Sequence, residues 1–383
     1  MTLPNKEPIV VHKGLDSIFV KESNICLIDG EHSRLYYRGY SIEDLAAKSN
    51  YEEVAYLLIH GTLPSSSQLA DFKDQLFREG TLSPAILKVL KSYPAGSHPM
   101  DVLRTSISAL ALEDAGLTQD KTINIQRAIK ILAKGPSIVA AYERLQQGKE
   151  PLAPDRALGH AANFLYMLHD AIPESYDAQV MDIAFSLHAE HEMNASTFSC
   201  IVTASTFSDM YSIITAGIAT LRGSLHGGAN EEALKMMMDV GGPENAAKFV
   251  EERLTQKKRI MGFGHRIYKT FDPRYTILKE IAEKLGKAKG DETLYETAIK
   301  IESEALGKLS DSKIFPNVDF YSGVVFHMLG FRTDLFTPIF AISRMAGWAA
   351  HVLEYLENNR LIRPKAAYTG KVDLQYTPIE KRA

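Results

Sequence analysis

The sequence predicts an all-α protein with a few short strands near its N-terminus. Apolar residues recur at helical spacing from Ser41 to near the C-terminus, between repeated helix start and stop signals. Three earlier segments, at 17–21, 25–30 and 35–40, are rich in aromatic and branched residues and are divided by turn residues, which is typical of strands. These observations favour a helical body with a small β appendage.

The first helices are marked by their caps. Ser41 precedes an acidic first turn, Asn50 begins a helix that stops at Gly61, and Ser83 is followed by proline at the first helical position. Apolar spacing predicts further helices over residues 66–78, 84–92, 99–115, 121–134, 137–147, 155–169, 177–190, 195–206, 208–222, 229–240, 244–257, 274–286, 292–308, 318–329 and 334–358.

The polarity of the helices changes along the chain. The sequence becomes more polar between about 228 and 332, and apolar helices resume at Phe336. We therefore expect a small helical domain at 228–332, inserted between two parts of a large helical domain at 1–227 and 333–383. The segment 210–221 is apolar on most faces, so we expect it to be buried within the subunit or against another one.

The composition excludes several classes of protein. The 383 residues are 45% hydrophobic and 23% charged, which indicates a globular protein with a large core. A net charge of −4 gives no general attraction to nucleic acid. Cys26 and Cys200 have no metal-spaced partner, which argues against structural zinc or a disulfide framework. The sequence shows no signal peptide and no membrane-length apolar run, so we expect a cytoplasmic protein without membrane contact.

The segment 262–274 contains a histidine preceded by two spaced glycines, and it allows three interpretations. A dinucleotide-binding loop is rejected because Ile267 stands where the third glycine belongs. Alternatively, His265 lies at a loop tip and Arg274 lies in the first turn of a helix that starts at Pro273. An ordinary surface turn is equally favoured by this string alone.

Two further residues are candidates for acid–base chemistry. His226 precedes two glycines and a helix with an acidic first turn, where the helix dipole favours a neutral ring that can donate to a carbonyl oxygen. A helix-capping histidine is the alternative. Asp319 has apolar and aromatic neighbours, so desolvation would raise its pKa and make it a better general base. A helix-capping aspartate is the commoner use of such a residue.

Other polar residues could bind ligands. His188 and His191 are three residues apart and could bind a metal on one helical face, but histidines of this kind more often bind an acidic ligand or cap a helix. Arg344 lies within an apolar helix, where its charge needs an anion. Arg363 precedes a proline and therefore belongs to an extended segment, and the alternative to a binding role is an ordinary surface arginine. The basic run at 257–259 either lies at the solvated end of a helix or binds the phosphates of a nucleotide-bearing cofactor.

Taken together, the candidates comprise a carboxylate base, histidines and several arginines, without a credible metal site or nucleophile. This set suits carbon-acid chemistry on a small molecule that is rich in carboxylates, because arginine binds carboxylates with two parallel hydrogen bonds.

Five segments resemble the citrate synthases in family order and with compatible spacing: 226–230, 262–274, 316–319, 343–348 and 363–364. The resemblance runs from about Gly14 to the C-terminus. It implies the citrate synthase fold, a homodimer, and the condensation of acetyl-CoA with oxaloacetate and water to citrate and CoA. It implies no metal and no permanently bound cofactor.

The resemblance also implies a role for each matching residue. Asp319 removes a proton from acetyl-CoA, His226 donates to the thioester oxygen, and His265 polarises the oxaloacetate ketone. The carboxylates are held by His191, Arg274 and Arg344 and, from the partner subunit, by Arg363. Arg78 is a weaker local match to another substrate contact of the family. The CoA site comprises Arg259, Ile260, Met261, Gly262, Phe263 and Lys269.

Alternatives stay open at this stage. The 2-methylcitrate synthases use propionyl-CoA and share nearly every catalytic position, although the string 318–323 looks more like citrate synthases. A citryl-CoA lyase and a non-catalytic helical dimer that binds CoA or a dicarboxylate are further possibilities. We expect the N-terminal extension of the larger, NADH-regulated bacterial enzymes to be missing, and that form of allostery with it.

Overall fold

A computed structural model describes residues 10–114 and 116–382 of the chain. Near the N-terminus, an antiparallel sheet is built from β1 (Cys26–Asp29), β2 (Arg34–Tyr37) and β3 (Tyr40–Ser41), in that order. The prediction of strands at 25–30 and 35–40 is confirmed. The predicted strand at 17–21 is wrong, because no described strand lies beside this segment to pair with it, and Phe19 is 98% exposed.

Helices make up most of the described chain, so the all-α prediction is confirmed. They are α1 (Ile42–Lys48), α2 (Tyr51–His60), α3 (Ser66–Gly80), α4 (Pro84–Ser92), α5 (Pro99–Ala109), α6 (Lys121–Gln146), α7 (His160–His169), α8 (Ser175–His188), α9 (Ala195–Ala204), α10 (Met210–Leu221), α11 (Ala229–Val240), α12 (Ala246–Thr255), α13 (Pro273–Lys289), α14 (Thr293–Leu309), α15 (Val318–Met328) and α16 (Phe336–Glu357). The side chains of Ser41, Asn50 and Ser83 each accept a backbone hydrogen bond from the first turn that follows.

The predicted break between 134 and 137 is wrong, because α6 runs through Pro136 without interruption. An interior proline typically costs a helix about 3 kcal/mol. Here the surrounding packing offsets that cost: α6 contacts α3, α5, α7 and α16, and Pro136 is buried. A side chain at Gly135 would press against Met345 of α16, so the two helices cross closely at this point.

Two other predicted helices differ from the structure at one end. The helix predicted at 155–169 starts at His160, because the Asn163 side chain bonds the backbone of Asp155 and Leu158 and holds the preceding residues in a turn. The helix predicted at 99–115 ends at Ala109 and is followed by a short 3-10 turn. Residue 115 itself lies outside the described residues.

The central element of the core is α16, which is buried from Phe336 to Leu353 apart from Phe340. It packs against α2, α6, α8, α9 and α10. The prediction that 210–221 is buried is confirmed for most of α10, where Gly217 lets the backbone approach Trp348. Among the described residues, no helix is both long and apolar enough to cross a membrane.

The more polar part of the chain forms its own set of contacts. Helix α11 packs on α15, α12 on α14, and α13 on α15. The side chains of Tyr275, Lys279 and Tyr321 converge on the buried carboxylate of Glu302. This arrangement fits a separate small domain, and the limits at 228–332 stay a prediction.

Candidate active site

The glycine loop and the segment before α15 are joined by backbone hydrogen bonds. The amide of Gly264 donates to the carbonyl of Phe315 over 2.8 Å, and the amide of Asn317 donates to the carbonyl of Gly262 over 2.9 Å. Gly262 has a φ of 78°, and a Cβ on it would lie 2.8 Å from the Cα of Phe320. Glycine is therefore required at this close crossing. The loop is not an ordinary surface turn, because its hydrogen bonds join the backbone before His265 to the segment that precedes Asp319.

The ring of His265 is oriented by the loop that follows it. Its Nδ1 accepts hydrogen bonds from the amides of Ile267, at 3.1 Å, and Tyr268, at 3.3 Å. Burial lowers the pKa of His265 to about 4, so the ring is neutral near neutral pH. Because Nδ1 is an acceptor, the proton of the neutral ring resides on Nε2. His265 can thus donate one hydrogen bond from Nε2.

His191 lies beside His265, with ring centroids 5.2 Å apart at an angle of 79°. Its Nε2 is 3.3 Å from the hydroxyl of Tyr268. Burial and then the charge of Arg274 hold the pKa of His191 well below its ordinary value. A neutral imidazole at this position can donate to or accept from a bound ligand without adding charge.

His188 and His191 do not share a helical face, because α8 ends at His188. The Nδ1–H of His188 donates to the carbonyl of Ala184 over 2.7 Å, and its ring packs on Phe326 and Phe340. Burial lowers the pKa of His188 to about 3. The pair therefore does not form the metal site that its spacing allowed, and the cap of α9 is Asn194.

Arg274 is held by a residue only two positions earlier. Asp272 caps α13, and its two carboxylate oxygens accept from Nε and Nη2 of Arg274 at 3.0 and 2.7 Å. Both side chains are buried. Burial alone would raise the pKa of Asp272, but the charge of Arg274 holds it below its usual value. These bonds fix the guanidinium in place. The prediction that Arg274 lies in the first turn of a helix starting at Pro273 is confirmed.

Arg344 is buried without an ion-pair partner among the described residues. Its Nε donates to the carbonyl of His188 over 2.6 Å, and its guanidinium lies 4.7 Å from the ring of Phe340. Burial lowers its pKa, while the carboxylate of Glu190 acts in the opposite direction. Its terminal nitrogens make no hydrogen bond to a described side chain or carbonyl, so they can receive an anion.

His226 is fixed by Ser196 and Trp348. The amide of Ser196 donates to Nε2 of His226 over 3.3 Å, and the Ser196 hydroxyl lies 2.8 Å from the same nitrogen. Trp348 in turn donates to that hydroxyl over 3.2 Å. Burial and then the charge of Arg344 lower the pKa of His226 to about 4. The ring is therefore neutral as predicted, and its proton resides on Nδ1.

Asp319 lies in the first turn of α15 and does not cap it. The cap is Asn317, whose Oδ1 accepts from the amide of Asp319 over 2.9 Å. Shielding from water raises the pKa of Asp319 to about 6, and the charge of Arg274 opposes part of that rise. The expected upward shift is confirmed. A carboxylate with this pKa is a stronger base than an exposed aspartate.

The remaining predicted residues differ in their surroundings. Arg259 and Lys269 are exposed, Ile260 is buried, and Met261 and Phe263 are partly exposed beside Gly262. Arg363 is exposed in the irregular segment after α16. Arg78 lies on the exposed side of α3 and pairs with Asp74. In the single chain, no hydrogen bond or ion pair joins Arg78 or Arg363 to the described site residues.

A metal ion suits this site poorly. His191, His265 and Asp272 have ligand atoms within 4.8 Å of one another. However, both oxygens of Asp272 already accept from Arg274, and Nδ1 of His265 already accepts from two amides. Two buried guanidiniums lie close by, so the local charge favours an anion over a cation.

Sequence reasoning missed several residues that orient the site: Ser196, Trp348, Tyr268, Asp272, Glu190 and His351. Asp272 had a local signal, because it stands at the cap position directly before Pro273. The buried pair of Glu190 and His351, whose Oε1 and Nε2 are 2.9 Å apart, had none.

Comparison with known proteins gives consistent matches over almost the whole chain. A family model described as citrate synthase, C-terminal domain, matches residues 14–365. The citrate synthase of Haloferax volcanii is 46% identical over 376 residues, covering 97% of this chain and 98% of the relative. The 2-methylcitrate synthase of Shewanella oneidensis is 41% identical over 372 residues, covering 96% and 97%. A solved structure of Thermoplasma acidophilum citrate synthase, in a ternary complex with carboxymethyl coenzyme A and oxaloacetate, has a TM-score of 0.93 at 34% identity and covers 97% of this chain and 100% of that chain.

Proposed function

The chain belongs to the citrate synthase family, and on this basis we propose that it condenses acetyl-CoA with oxaloacetate and water to give citrate and CoA. The observation that carries the proposal is the combination of a carboxyl group with a raised pKa, Asp319, and two neutral histidines that each accept a backbone N–H at one ring nitrogen, so that the proton resides on the other. A base and two hydrogen-bond donors of this kind suit the formation and capture of an enol.

In the first step, Asp319 takes a proton from the methyl carbon of acetyl-CoA. The Nδ1–H of His226 donates a hydrogen bond to the thioester oxygen as negative charge develops there. A neutral imidazole is suited to this task because its acidity is closer to that of the enol than the acidity of an imidazolium is. Burial keeps His226 neutral, since its pKa is about 4.

In the second step, the enol carbon attacks the ketone carbon of oxaloacetate and a carbon–carbon bond forms. The Nε2–H of His265 polarises the ketone and transfers its proton to the new alkoxide. His191, Arg274 and Arg344 hold the two carboxylates of oxaloacetate. The terminal nitrogens of Arg344 are free to form the paired hydrogen bonds that a carboxylate accepts.

In the last step, water attacks the thioester carbon of citryl-CoA, the carbon–sulfur bond breaks, and CoA leaves as the thiol. The acetyl group thereby ends as an alkyl substituent of citrate, so the enzyme is an acyltransferase of the type that converts acyl groups into alkyl groups on transfer. Exclusion of water before carbon–carbon bond formation prevents premature hydrolysis.

The CoA site is proposed along Arg259, Ile260, Met261, Gly262 and Phe263, with Lys269 near a phosphate. Arg259 and Lys269 are exposed and can meet the charged nucleotide end of CoA. The apolar residues between them can contact its pantetheine arm. The complex of the Thermoplasma relative with a CoA compound and oxaloacetate supports both substrate classes.

We also propose a homodimer in which Arg363 reaches the site of the partner subunit. The segment after α16 leaves large apolar side chains in solvent, including Leu374 at 73% and Tyr376 at 82% exposure. Apolar groups exposed to this extent are typical of surfaces that a second chain covers. Arg363 lies in this segment, and among the described residues no hydrogen bond or ion pair joins it to its own site.

The test is release of the CoA thiol on mixing the protein with acetyl-CoA and oxaloacetate, followed by identification of citrate. Omission of either substrate and the Asp319→Asn variant serve as controls. Absence of thiol release with both acetyl-CoA and propionyl-CoA would rule out the proposal and favour a non-catalytic binder. Accumulation of citryl-CoA without thiol release would indicate a lyase instead.

A 2-methylcitrate synthase is the second candidate, and the Shewanella relative favours it at 41% identity. The ratio of kcat/KM for acetyl-CoA and propionyl-CoA distinguishes the two. One methylene group in a pocket is worth about 1–3 kcal/mol, which corresponds to a roughly tenfold to 200-fold preference. We expect the ratio to favour acetyl-CoA.

A further inference from the structure

The turn between β1 and β2, residues 30–33, contacts the loop that follows His265. The carbonyl of Gly30 accepts a hydrogen bond from the amide of Lys269 over 2.9 Å. The hydroxyl of Ser33 donates to the carbonyl of Phe271 over 2.7 Å and also contacts the hydroxyl of Thr270. The β1–β2 turn is thus bonded to the backbone of the loop at two places.

Gly30 also sets how closely the turn approaches the loop. A Cβ on Gly30 would overlap the carbonyl oxygen of Ile267 and lie 2.9 Å from its carbonyl carbon. Ile267 is one of the two residues whose amides donate to Nδ1 of His265. The turn therefore packs directly against the peptide segment that orients the His265 ring.

The sheet that carries this turn is fixed to the other histidine segment of the site. Tyr37 of β2 is fully buried, and its hydroxyl donates to the carbonyl of Glu190 over 2.7 Å. Glu190 directly precedes His191. The small sheet therefore joins the backbone before His191 to the backbone after His265.

The loop between His265 and Asp272 has no helix or strand of its own. Apart from the two amides that donate to His265, its described backbone hydrogen bonds go to Gly30, Ser33 and Pro316. A segment with so few internal bonds depends on external contacts for its conformation. Removal of the bonds from the turn leaves residues 266–271 attached mainly at their two ends.

We propose that Gly30 and Ser33 are positioning residues for the condensation, holding the 266–271 loop so that His265 presents Nε2–H to the ketone. This inference rests on the proposed function. Neither residue is among the proposed substrate contacts, and both act through the loop backbone. A catalytic group displaced by about 1 Å can lose up to 100-fold in rate, so a modest loosening of this loop has a measurable effect.

The test compares Ser33→Ala, Gly30→Ala and the control His32→Ala. His32 lies in the same turn, its side chain is 68% exposed, and it pairs only with Asp29. We expect Ser33→Ala to lower kcat about threefold to tenfold, which corresponds to one lost hydrogen bond, and Gly30→Ala to lower it further. KM for acetyl-CoA is expected to change less than kcat, because the proposed CoA contacts at 259–263 lie outside this loop and only the exposed Lys269 lies within it.

Hydrogen exchange of the 266–271 amides is measured on the same variants. Faster exchange confined to this segment, with an unchanged unfolding temperature, supports the proposal. It is overturned if Ser33→Ala and Gly30→Ala match His32→Ala in kcat and exchange, or if exchange rises throughout the chain in parallel with lost stability. Because exchange needs no turnover, an inactive wild-type protein would refute the proposed function while leaving the contact between turn and loop testable.

Discussion

Ser196 contacts the ring of His226 at a single nitrogen, with its amide 3.3 Å and its hydroxyl 2.8 Å from Nε2. This contact leaves Nδ1 as the position of the proton in the neutral ring. We expect Ser196→Ala to lower kcat about threefold to 30-fold with little change in the KM for oxaloacetate, because the backbone bond remains while the hydroxyl bond is lost. Steady-state kinetics of both substrates provide the measurement.

Loss of this hydroxyl should also affect stability. Trp348 is fully buried and donates its indole hydrogen to Ser196, so the Ala variant leaves that donor unpaired. We expect a loss of about 1–3 kcal/mol in the free energy of unfolding. Ser199→Ala on the same helix is the matched control, since the described hydrogen bond of the Ser199 hydroxyl goes to the carbonyl of Ala216. Equal effects of the two substitutions on kcat would contradict the role given to Ser196.

Asp319→Asn should abolish condensation and retain oxaloacetate binding. Loss of a general base typically costs about 10²- to 10⁴-fold in kcat. Calorimetric titration of oxaloacetate measures binding without turnover, and the exposed Asp311→Asn is the control. If the variant no longer bound oxaloacetate, Asp319 would belong to the carboxylate site rather than to proton transfer.

The same substitution should stabilise the fold near neutral pH. The pKa of Asp319 is raised from 3.8 to about 6, so its ionised form destabilises the folded state. The difference in unfolding free energy between Asp319→Asn and the wild type is expected on the order of 1–3 kcal/mol above about pH 6. It should shrink as the pH falls and vanish below about pH 4, where the carboxyl is protonated in both states. Denaturant titrations across this range test the sign.

Activity should fall on acidification because Asp319 must be ionised to act as a base. We expect kcat/KM to decrease through a single ionisation near the raised pKa of Asp319, which is about 6. His226 and His265, with pKa values of about 4, stay neutral over this range. A pH–rate profile of the wild type provides the measurement. An acidic limb centred near pH 4 would contradict the raised pKa of Asp319.

The two buried arginines should respond differently to substitution by glutamine. Arg344 has no ion-pair partner in the described part of the chain, so Arg344→Gln is expected to raise the KM for oxaloacetate about tenfold to 150-fold with little loss of stability. Arg274→Gln leaves the carboxylate of Asp272 buried and unpaired, which typically costs about 3–5 kcal/mol of stability. Thermal unfolding and oxaloacetate kinetics of both variants separate the effects. An unchanged KM for Arg344→Gln would show that its anion is internal.

The sharing of a site between subunits can be tested with two inactive variants expressed together. Arg363→Gln and Asp319→Asn each impair every site of their own homodimer. If Arg363 acts across the interface, each mixed dimer has one intact site, and random pairing restores about a quarter of the wild-type activity. If Arg363 acts within its own subunit, no activity returns.

The predictable parts of this protein are those whose causes lie close together in the sequence. Ser41, Asn50 and Ser83 bond amides within three residues, so the starts of their helices follow from local spacing. The helix break predicted at the proline of α6 is wrong because the packing that offsets the cost of this proline comes from distant helices. The absence of a strand at 17–21 likewise depends on which segments lie beside it.

The chemistry of the site was predictable only in part. His265 and Asp319 stand in conspicuous local contexts, and a family resemblance connects them. The contacts that fix the ring of His226, by contrast, join Ser196 to Trp348 across 152 positions and His226 to Ser196 across 30. A single sequence contains no signal for such pairs. The tautomer of His226 therefore required the three-dimensional structure, whereas that of His265 is set by amides two and three residues away.

One helix aligns groups on both sides of the proposed reaction. Arg344, Trp348 and His351 lie on successive turns of α16, and they bond the carbonyl of His188, the hydroxyl of Ser196 and the carboxylate of Glu190. A thermal displacement of α16 therefore moves Arg344, a proposed oxaloacetate contact, together with the support of His226. We expect the distance between the enol carbon and the ketone carbon to vary less than the position of either substrate alone. The enzyme can thus tolerate motion of its core as long as that motion is shared.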